Sequence, residues 1–196
     1  MIFGGVKEVI LFISATDTGV GKTYFSYLLA KKFLIEGKRT KYIKLVQTGY
    51  PKDNDSAFVS KSKVEAKTLY FGKDPLAPCF IFENFPIEEA ISRIKTEEVD
   101  YTIVEGSGGL LVPLDKNNFI VDIPKRMSLK TIIVVPNKLG CINQTLLNLY
   151  YCDKEGIDLY GFALNDFFKE TLDNFDILSK LTGKIKYRFK NEIITI

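Results

Sequence analysis

Residues 10–24 read ILFISATDTGVGKTY, and no other stretch of the chain constrains its fold as tightly. A short apolar run breaks into a glycine-containing loop, which meets a Lys-Thr pair opening an amphipathic stretch. Residues 9–14 (VILFIS) have the continuous apolar character of a strand buried on both faces. Residues 22–36 place Phe25, Leu28, Leu29 and Phe33 on one helical face before Gly37 ends the pattern. Strand, glycine loop and helix in that order make a phosphate-binding loop. Inward backbone N–H groups around Gly19 and Gly21, the positive helix end and the Lys22 ammonium form a polyphosphate cradle, and the Thr23 hydroxyl is placed to hold Mg²⁺. The glycine that usually stands five residues before the Gly-Lys pair is Thr16 here, with Ala15 one residue further back. GVGKTY also lacks the third glycine of a hydride-transfer dinucleotide fingerprint.

The rest of the chain extends this beginning into an α/β domain. Apolar strands at 40–46, 101–105, 131–136 and 159–165 alternate with helical patterns at 87–95, 142–155 and 172–181. That alternation predicts a mostly parallel sheet covered by helices on both faces. Residues 52–62 are polar with a helix starting near Asp55, and 71–86 form an irregular stretch rich in aromatics and proline. With 196 residues, 46% of them hydrophobic, residues 1–196 are expected to form a single domain. A net charge of +3, scattered along the chain, gives no footprint for nucleic acid. No stretch reaches the roughly 18 apolar residues of a membrane span. The first residues carry Glu8 and run directly into the first strand, which reads as no signal peptide. Cys79, Cys141 and Cys152 are an odd, widely spaced set that points to a reducing, cytoplasmic setting. Histidine is absent, so no imidazole can act as base or metal ligand.

In open α/β sheets ligands bind beyond the carboxyl ends of the strands, so polar residues there are read first. The strand at 40–46 carries Lys44 and is followed by Gln47, Thr48 and Gly49, the strand at 101–105 ends on Glu105 followed by GSGG, Asn137 to Gly140 follow a third, and Asn165 and Asp166 close a fourth. A carboxylate at a buried strand tip near a triphosphate can hold Mg²⁺ or its water, while Gly106, Gly108 and Gly109 would let backbone approach the ligand. Asp55 has two readings, a metal-side carboxylate or the N-cap of the helix that follows. Residues 139–143 read as a helix start with Asn143 as a capping side chain.

Taken together, ATDTGVGKT (15–23), KLVQTG (44–49), Asp55, VEGSGGLLVPL (104–114), NKLGCINQTLL (137–147) and GFALND (161–166) resemble the dethiobiotin synthetase family in the family's order. The resemblance implies a three-layer fold of the P-loop NTPase type and an ATP-dependent ligase acting on 7,8-diaminononanoate. Carbon dioxide would add to one amine, the carbamate would attack the γ-phosphorus of ATP, and the second amine would close the cyclic urea, releasing ADP and phosphate. It implies catalytic roles for Lys22 and Lys44 and metal roles for Thr23, Asp55 and Glu105. Nucleotide contacts would come from Gly19, Val20, Gly21, Lys22, Thr23, Tyr24, Asp55, Glu105, Gly106, Ser107, Gly108, Asn165 and Asp166. Substrate contacts would come from Thr18, Lys44, Thr48, Gly108, Gly109, Leu110, Leu139, Gly140, Cys141 and Asn143, the last four across a two-fold homodimer interface. Four departures from the family's habit stand out: Ala15 for glycine, Leu45 for proline after the active lysine, Cys79 for histidine, and Lys186 for proline in a segment bordering the base. The alternative from another class is a nucleotide-driven partitioning or septum-placing ATPase switch. Such proteins normally carry a second lysine early in the loop, where this chain has Ala15, Thr16 and Asp17.

Overall fold

A computed structural model describes residues 8–95, 99–169 and 172–195. Residues 1–7, on which the reading of no signal peptide partly rests, lie outside the described residues. Among the described residues, eight strands form one sheet in the order β3-β2-β4-β1-β5-β6-β7-β8. They are β1 (Val9–Ala15), β2 (Thr40–Gln47), β3 (Glu65–Phe71), β4 (Tyr101–Gly109), β5 (Lys130–Pro136), β6 (Leu159–Asn165), β7 (Ile185–Lys190) and β8 (Ile193–Thr195). Every neighbouring pair is parallel except β7 with β8, which run antiparallel. The mostly parallel, helix-covered sheet expected from the sequence is therefore the observed one.

Helices α1 (Lys22–Ile35) and α2 (Asp55–Val59) cover one face; α3 (Ile87–Ile94), α4 (Asp122–Met127), α5 (Cys141–Glu155) and α6 (Phe175–Thr182) cover the other. The period-2 alternation of strands sorts the core. Leu11, Ile13, Tyr42, Ile103 and Ile132 pack under Phe25, Leu28, Leu29 and Phe33 of α1, as the helical pattern predicts. Phe12, Ile43, Leu45 and Val104 face Ala90 and Ile94 of α3 on the opposite side. Among the described residues no helix is long and apolar enough to cross a membrane.

The structure departs from the sequence reading at several elements. β3, β7 and β8 were not anticipated because they sit at or near the sheet edges, where half-exposed strands carry polar residues instead of an apolar run. β4 does not stop at Glu105 but runs on through the glycines to Gly109. α6 starts at Phe175 and not at residue 172. Asp55 is not the N-cap of α2: Asn54 is, its Oδ1 accepting the Ala57 N–H at 3.0 Å. Asn143 caps nothing either, since α5 begins from Gly140 at φ 89° with no side-chain cap.

Candidate active site

β1 hands the chain to the phosphate loop in extended conformation, Ala15 pairing with Gly109 and Val134, so the alanine that replaces a glycine needs no special backbone angle. The loop then turns on Gly21, whose φ of 100° in the left-handed region starts α1 without a side-chain cap. The free N–H groups of the first turn of a 14-residue helix therefore open toward the loop. Lys22 folds back over it, its Nζ 3.5 Å from the Asp17 carbonyl. Burial, helped by the nearby Lys44 ammonium, lowers the Lys22 pKa to about 8.

Two strands bring the rest. In register, Lys44 of β2 stands beside Glu105 of β4. Both point to the α1 side, as do Tyr42 and Ile103 two residues earlier on each strand. Glu105 is fully buried and collects four donors. Its Oε1 accepts from Thr23 Oγ1 at 2.9 Å and Lys44 Nζ at 2.8 Å; its Oε2 accepts from Ser26 Oγ and Tyr42 OH, each at 2.9 Å. Lys44 also meets Asp55 Oδ2 at 2.6 Å and the Gly106 carbonyl at 3.1 Å. Burial pulls the Lys44 pKa down, but Glu105 and Asp55 outweigh it and leave the ammonium raised above its ordinary value. Burial and the Glu105 charge push the Tyr42 phenol well above its ordinary range.

A cleft of about 680 Å³ opens in front of this cluster, lined by Thr18, Gly19, Gly21, Lys22, Thr23, Tyr24, Lys44, Thr48, Asp55, Glu105, Ser107 and Gly108 among the residues singled out in the sequence. It brings the Lys22 and Lys44 ammonium groups, the Asp55 and Glu105 carboxylates and the Thr23 hydroxyl together at the strand tips. A second cleft of about 380 Å³ adjoins it through Thr18 and holds Gly109 and Leu110 with Pro113, Leu147 and Tyr151.

Other singled-out residues lie elsewhere. Val20 is buried beneath the loop. Gly106 owes its missing side chain to packing, since a Cβ there would come within 2.9 Å of Ile120 and 3.1 Å of Phe12; a Cβ on Gly109 would lie 3.0 Å from the Ala15 carbonyl. Of the three glycines of GSGG, Gly108 borders the large cleft and Gly109 the second one, while Gly106 lines neither. Asn165 is buried under the phosphate loop, its Nδ2 donating to the Val20 carbonyl at 3.0 Å and its Oδ1 accepting the Phe167 N–H at 3.0 Å. Asp166 lies in a smaller cleft of about 210 Å³ and pairs with Arg188. Lys186, flagged at the base-side segment, instead lays its Nζ 5.8 Å from the Tyr160 ring. Leu139, Gly140, Cys141 and Asn143 line none of these clefts within the chain; Leu139 is 94% exposed, whereas Cys141 is buried. Leu45 is buried in β2, and Cys79 donates its N–H to the Pro113 carbonyl.

Sequence reasoning missed Tyr42 and Ser26, and it named Gln47 at a strand end without giving it a role. Gln47 Oε1 accepts the Asp55 N–H at 2.9 Å and its Nε2 donates to the Thr48 carbonyl at 3.0 Å, which fixes the start of α2 and with it Asp55. A usable signal existed. Ser26 follows Thr23 by three residues on a helix and Tyr42 precedes Lys44 by two on a strand, so each shares a face with a residue already selected.

Comparison with known proteins agrees with this geometry. A protein-family profile described as an AAA domain matches residues 10–187. The ATP-dependent dethiobiotin synthetase BioD of Lawsonia intracellularis is 34% identical over 171 residues, covering 86% of this chain and 80% of that one. The protein of the same name from Methanocaldococcus jannaschii is 33% identical, covering 80% and 79%. Among solved structures, a ParA family ATPase from Chlorobium tepidum superposes with a TM-score of 0.60 over 94% of this chain and 84% of that one. At 13% identity that likeness speaks for the fold alone.

Proposed function

The chain belongs to the ATP-dependent dethiobiotin synthetase family, and from that premise we propose how its clefts divide the work. The protein is a ligase of biotin biosynthesis that makes dethiobiotin with ATP as cosubstrate. The partitioning-ATPase alternative is left with a distant likeness of fold. The observation that carries the assignment of the site is the meeting of Lys44, Glu105 and Asp55 beside Lys22 and Thr23 in one cleft.

In this reading the loop and the first turn of α1 take the triphosphate, with Lys22 along its β and γ oxygens. Thr18 stands at the junction of the two clefts and Thr48 borders the larger one, so the diamine end of 7,8-diaminononanoate would lie near them. Lys44, held from behind by two carboxylates, would face the carbamate oxygen as it attacks the γ-phosphorus, and would neutralise charge as it moves. The second amine then closes the cyclic urea with loss of phosphate. None of these steps needs an imidazole, in keeping with a chain that has no histidine.

The donor set fits Mg²⁺. This ion takes hard oxygen ligands, usually one or two carboxylates with substrate phosphates and water. The Thr23 hydroxyl and the partly exposed Asp55 carboxylate are such donors, whereas Glu105, with both oxygens taken by protein donors, would act through Thr23. Bound there, the ion would supply charge neutralisation on the phosphoryl oxygens.

Asn165 and Asp166 would border the base. A homodimer belongs to the same reading: Leu139 at the start of α5 and the exposed Leu111, Leu147 and Tyr150 support a surface that meets a second copy, which would receive the substrate tail at residues 139–143. Free Cys79, Cys141 and Cys152 support a cytoplasmic location, and one sheet carrying both clefts supports a single domain over 1–196. The test is incubation with Mg-ATP, bicarbonate and 7,8-diaminononanoate. Dethiobiotin by mass, with phosphate release dependent on the diamine, is the expected result. Phosphate release indifferent to the diamine and without product would return the chain to the ATPase switches.

A further inference from the structure

An ionised carboxylate offers about four lone-pair positions, and in Glu105 all four are filled by protein donors. The donors divide by place. Thr23 and Lys44, on Oε1, line the large cleft; Ser26 and Tyr42, on Oε2, are fully buried behind it and line none of the clefts described above. Tyr42 otherwise packs in the apolar layer beneath α1, with Ile103, Val59 and Phe25. Phenylalanine would fill that volume equally well, so the hydroxyl has its use in what it donates to, and its partner is Glu105. Were Oε2 bare, the carboxylate could swing about its last bond and bring either oxygen to the Lys44 ammonium.

We propose that Tyr42 and Ser26 are positioning residues for the ligase reaction: by occupying Oε2 of Glu105 they keep Oε1 on Thr23 and Lys44, and so fix the lysine that faces the reacting phosphoryl group. This rests on the role given above to Lys44 and Glu105. Tyr42 contributes nothing to the cleft itself and acts only through the carboxylate.

A double-mutant cycle of Tyr42→Phe with Glu105→Gln tests it, because a residue acting only through Glu105 has no effect once that carboxylate is gone. Two quantities are read: kcat with KM for ATP, and the calorimetric affinity for Mg²⁺ in the presence of a non-hydrolysable ATP analogue. Tyr42→Phe alone is expected to lower kcat about tenfold, the size typical of such supporting contacts, to weaken Mg²⁺ affinity, and to leave KM for ATP within about twofold. In the Glu105→Gln background it should change neither quantity by as much as twofold. Multiplicative losses, or a Tyr42→Phe enzyme with unchanged kcat, would overturn the proposal. If Glu105→Gln itself leaves both quantities untouched, the reading of Glu105 falls and this one with it; if Glu105→Gln impairs both and Tyr42→Phe neither, only this one falls. Should Glu105→Gln fail to fold, Ser26→Ala is combined with Tyr42→Phe. Stripping Oε2 of both donors should then cost more than the product of the single losses, and a simple product would overturn the proposal.

Discussion

At the β2–β4–β1 end of the sheet one carboxylate gathers four donors, whereas at the β5–β6–β7 end one arginine joins two carboxylates. Arg188 Nε donates to Asp166 Oδ2 at 2.8 Å and its NH2 to Asp173 Oδ2 at 2.9 Å; Asn137 Nδ2 reaches both aspartates from the far side, at 2.7 and 3.2 Å. Burial pushes the Asp173 carboxyl up, but Lys169, the Phe175 N–H, Arg188 and Asn137 outweigh it and hold the carboxyl below the usual carboxylate range. The two clusters contain similar groups and differ in water. Glu105 is fully buried and the Lys44 side chain is 5% exposed, while the Arg188 and Asp173 side chains are 26% and 36% exposed. Removing one partner from the first strands charge in a low dielectric, where the penalty is about 3–5 kcal/mol; in the second, solvent screens what is left. The inner cluster is thus fit to hold reacting charge, and the outer one to shape a surface.

Lys44→Ala should give the largest effect if that contrast is right. Turnover is expected to fall by about 10²–10³, the usual loss when one donor to developing charge is removed, with ATP binding by calorimetry kept within a few-fold. A variant that loses ATP binding as steeply as turnover would make Lys44 part of the phosphate cradle. Arg188→Met should give a smaller effect of a different kind: KM for ATP rises roughly tenfold while kcat holds. Equal losses in kcat would mean that the outer network reaches the chemistry, and the contrast between the two ends would fail.

The two ends were also unequally legible. The phosphate loop could be read because it directly follows an apolar strand, and Lys44 and Glu105 because each is a charge set within an apolar strand, where it stands out against its neighbours. The donors behind Glu105 do not stand out, and only their spacing from Thr23 and Lys44 marks the shared faces. Tyr42 sits inside a strand as aromatic residues commonly do, and Ser26 inside a helix as small polar residues do, so neither breaks a pattern. Of the outer network Asn137 and Asp166 were named at strand ends, but their connection was hidden for another reason. Asn137, Asp166, Asp173 and Arg188 come from four separate segments joined only by the pairing of β5, β6 and β7, and β7 itself reads IKYRFK with no apolar run. Lys186 was singled out there, and Arg188, two residues on, is the one that meets Asp166.

Gln47→Ala probes the link that sets Asp55 against Lys44. Losing the acceptor for the Asp55 N–H loosens the first turn of α2, and Asp55 should then meet Lys44 less often. A three- to tenfold loss of kcat/KM for ATP is expected, about 0.7–1.4 kcal/mol, with little change in thermal stability. A loss as large as that of Lys44→Ala would place Gln47 within the inner cluster itself.

The smallest expected effect on activity is none at all, and it bounds the contrast from outside. Asp115, in the loop after β4, is another carboxylate with both oxygens taken by protein donors and is only 2% exposed. Burial pushes its carboxyl up, but the Phe85 and Asn117 N–H groups and both donors of Asn118 outweigh it and lower the pKa from 3.8 to about 2. A carboxyl depressed in the folded state stabilises above its unfolded pKa, and that contribution is lost as pH falls through the folded value. Wild type should therefore exceed Asp115→Asn by up to about 2 kcal/mol, or roughly 4–8 °C in Tm, from pH 7 down to about 4. The gap should then close toward pH 2, with kcat at pH 7 the same in both. A gap independent of pH would mean that the asparagine perturbs the turn by shape. A fall in kcat would mean that saturation of a carboxylate is not by itself structural here, and that what separates Glu105 from Asp115 is the lysine on its other oxygen.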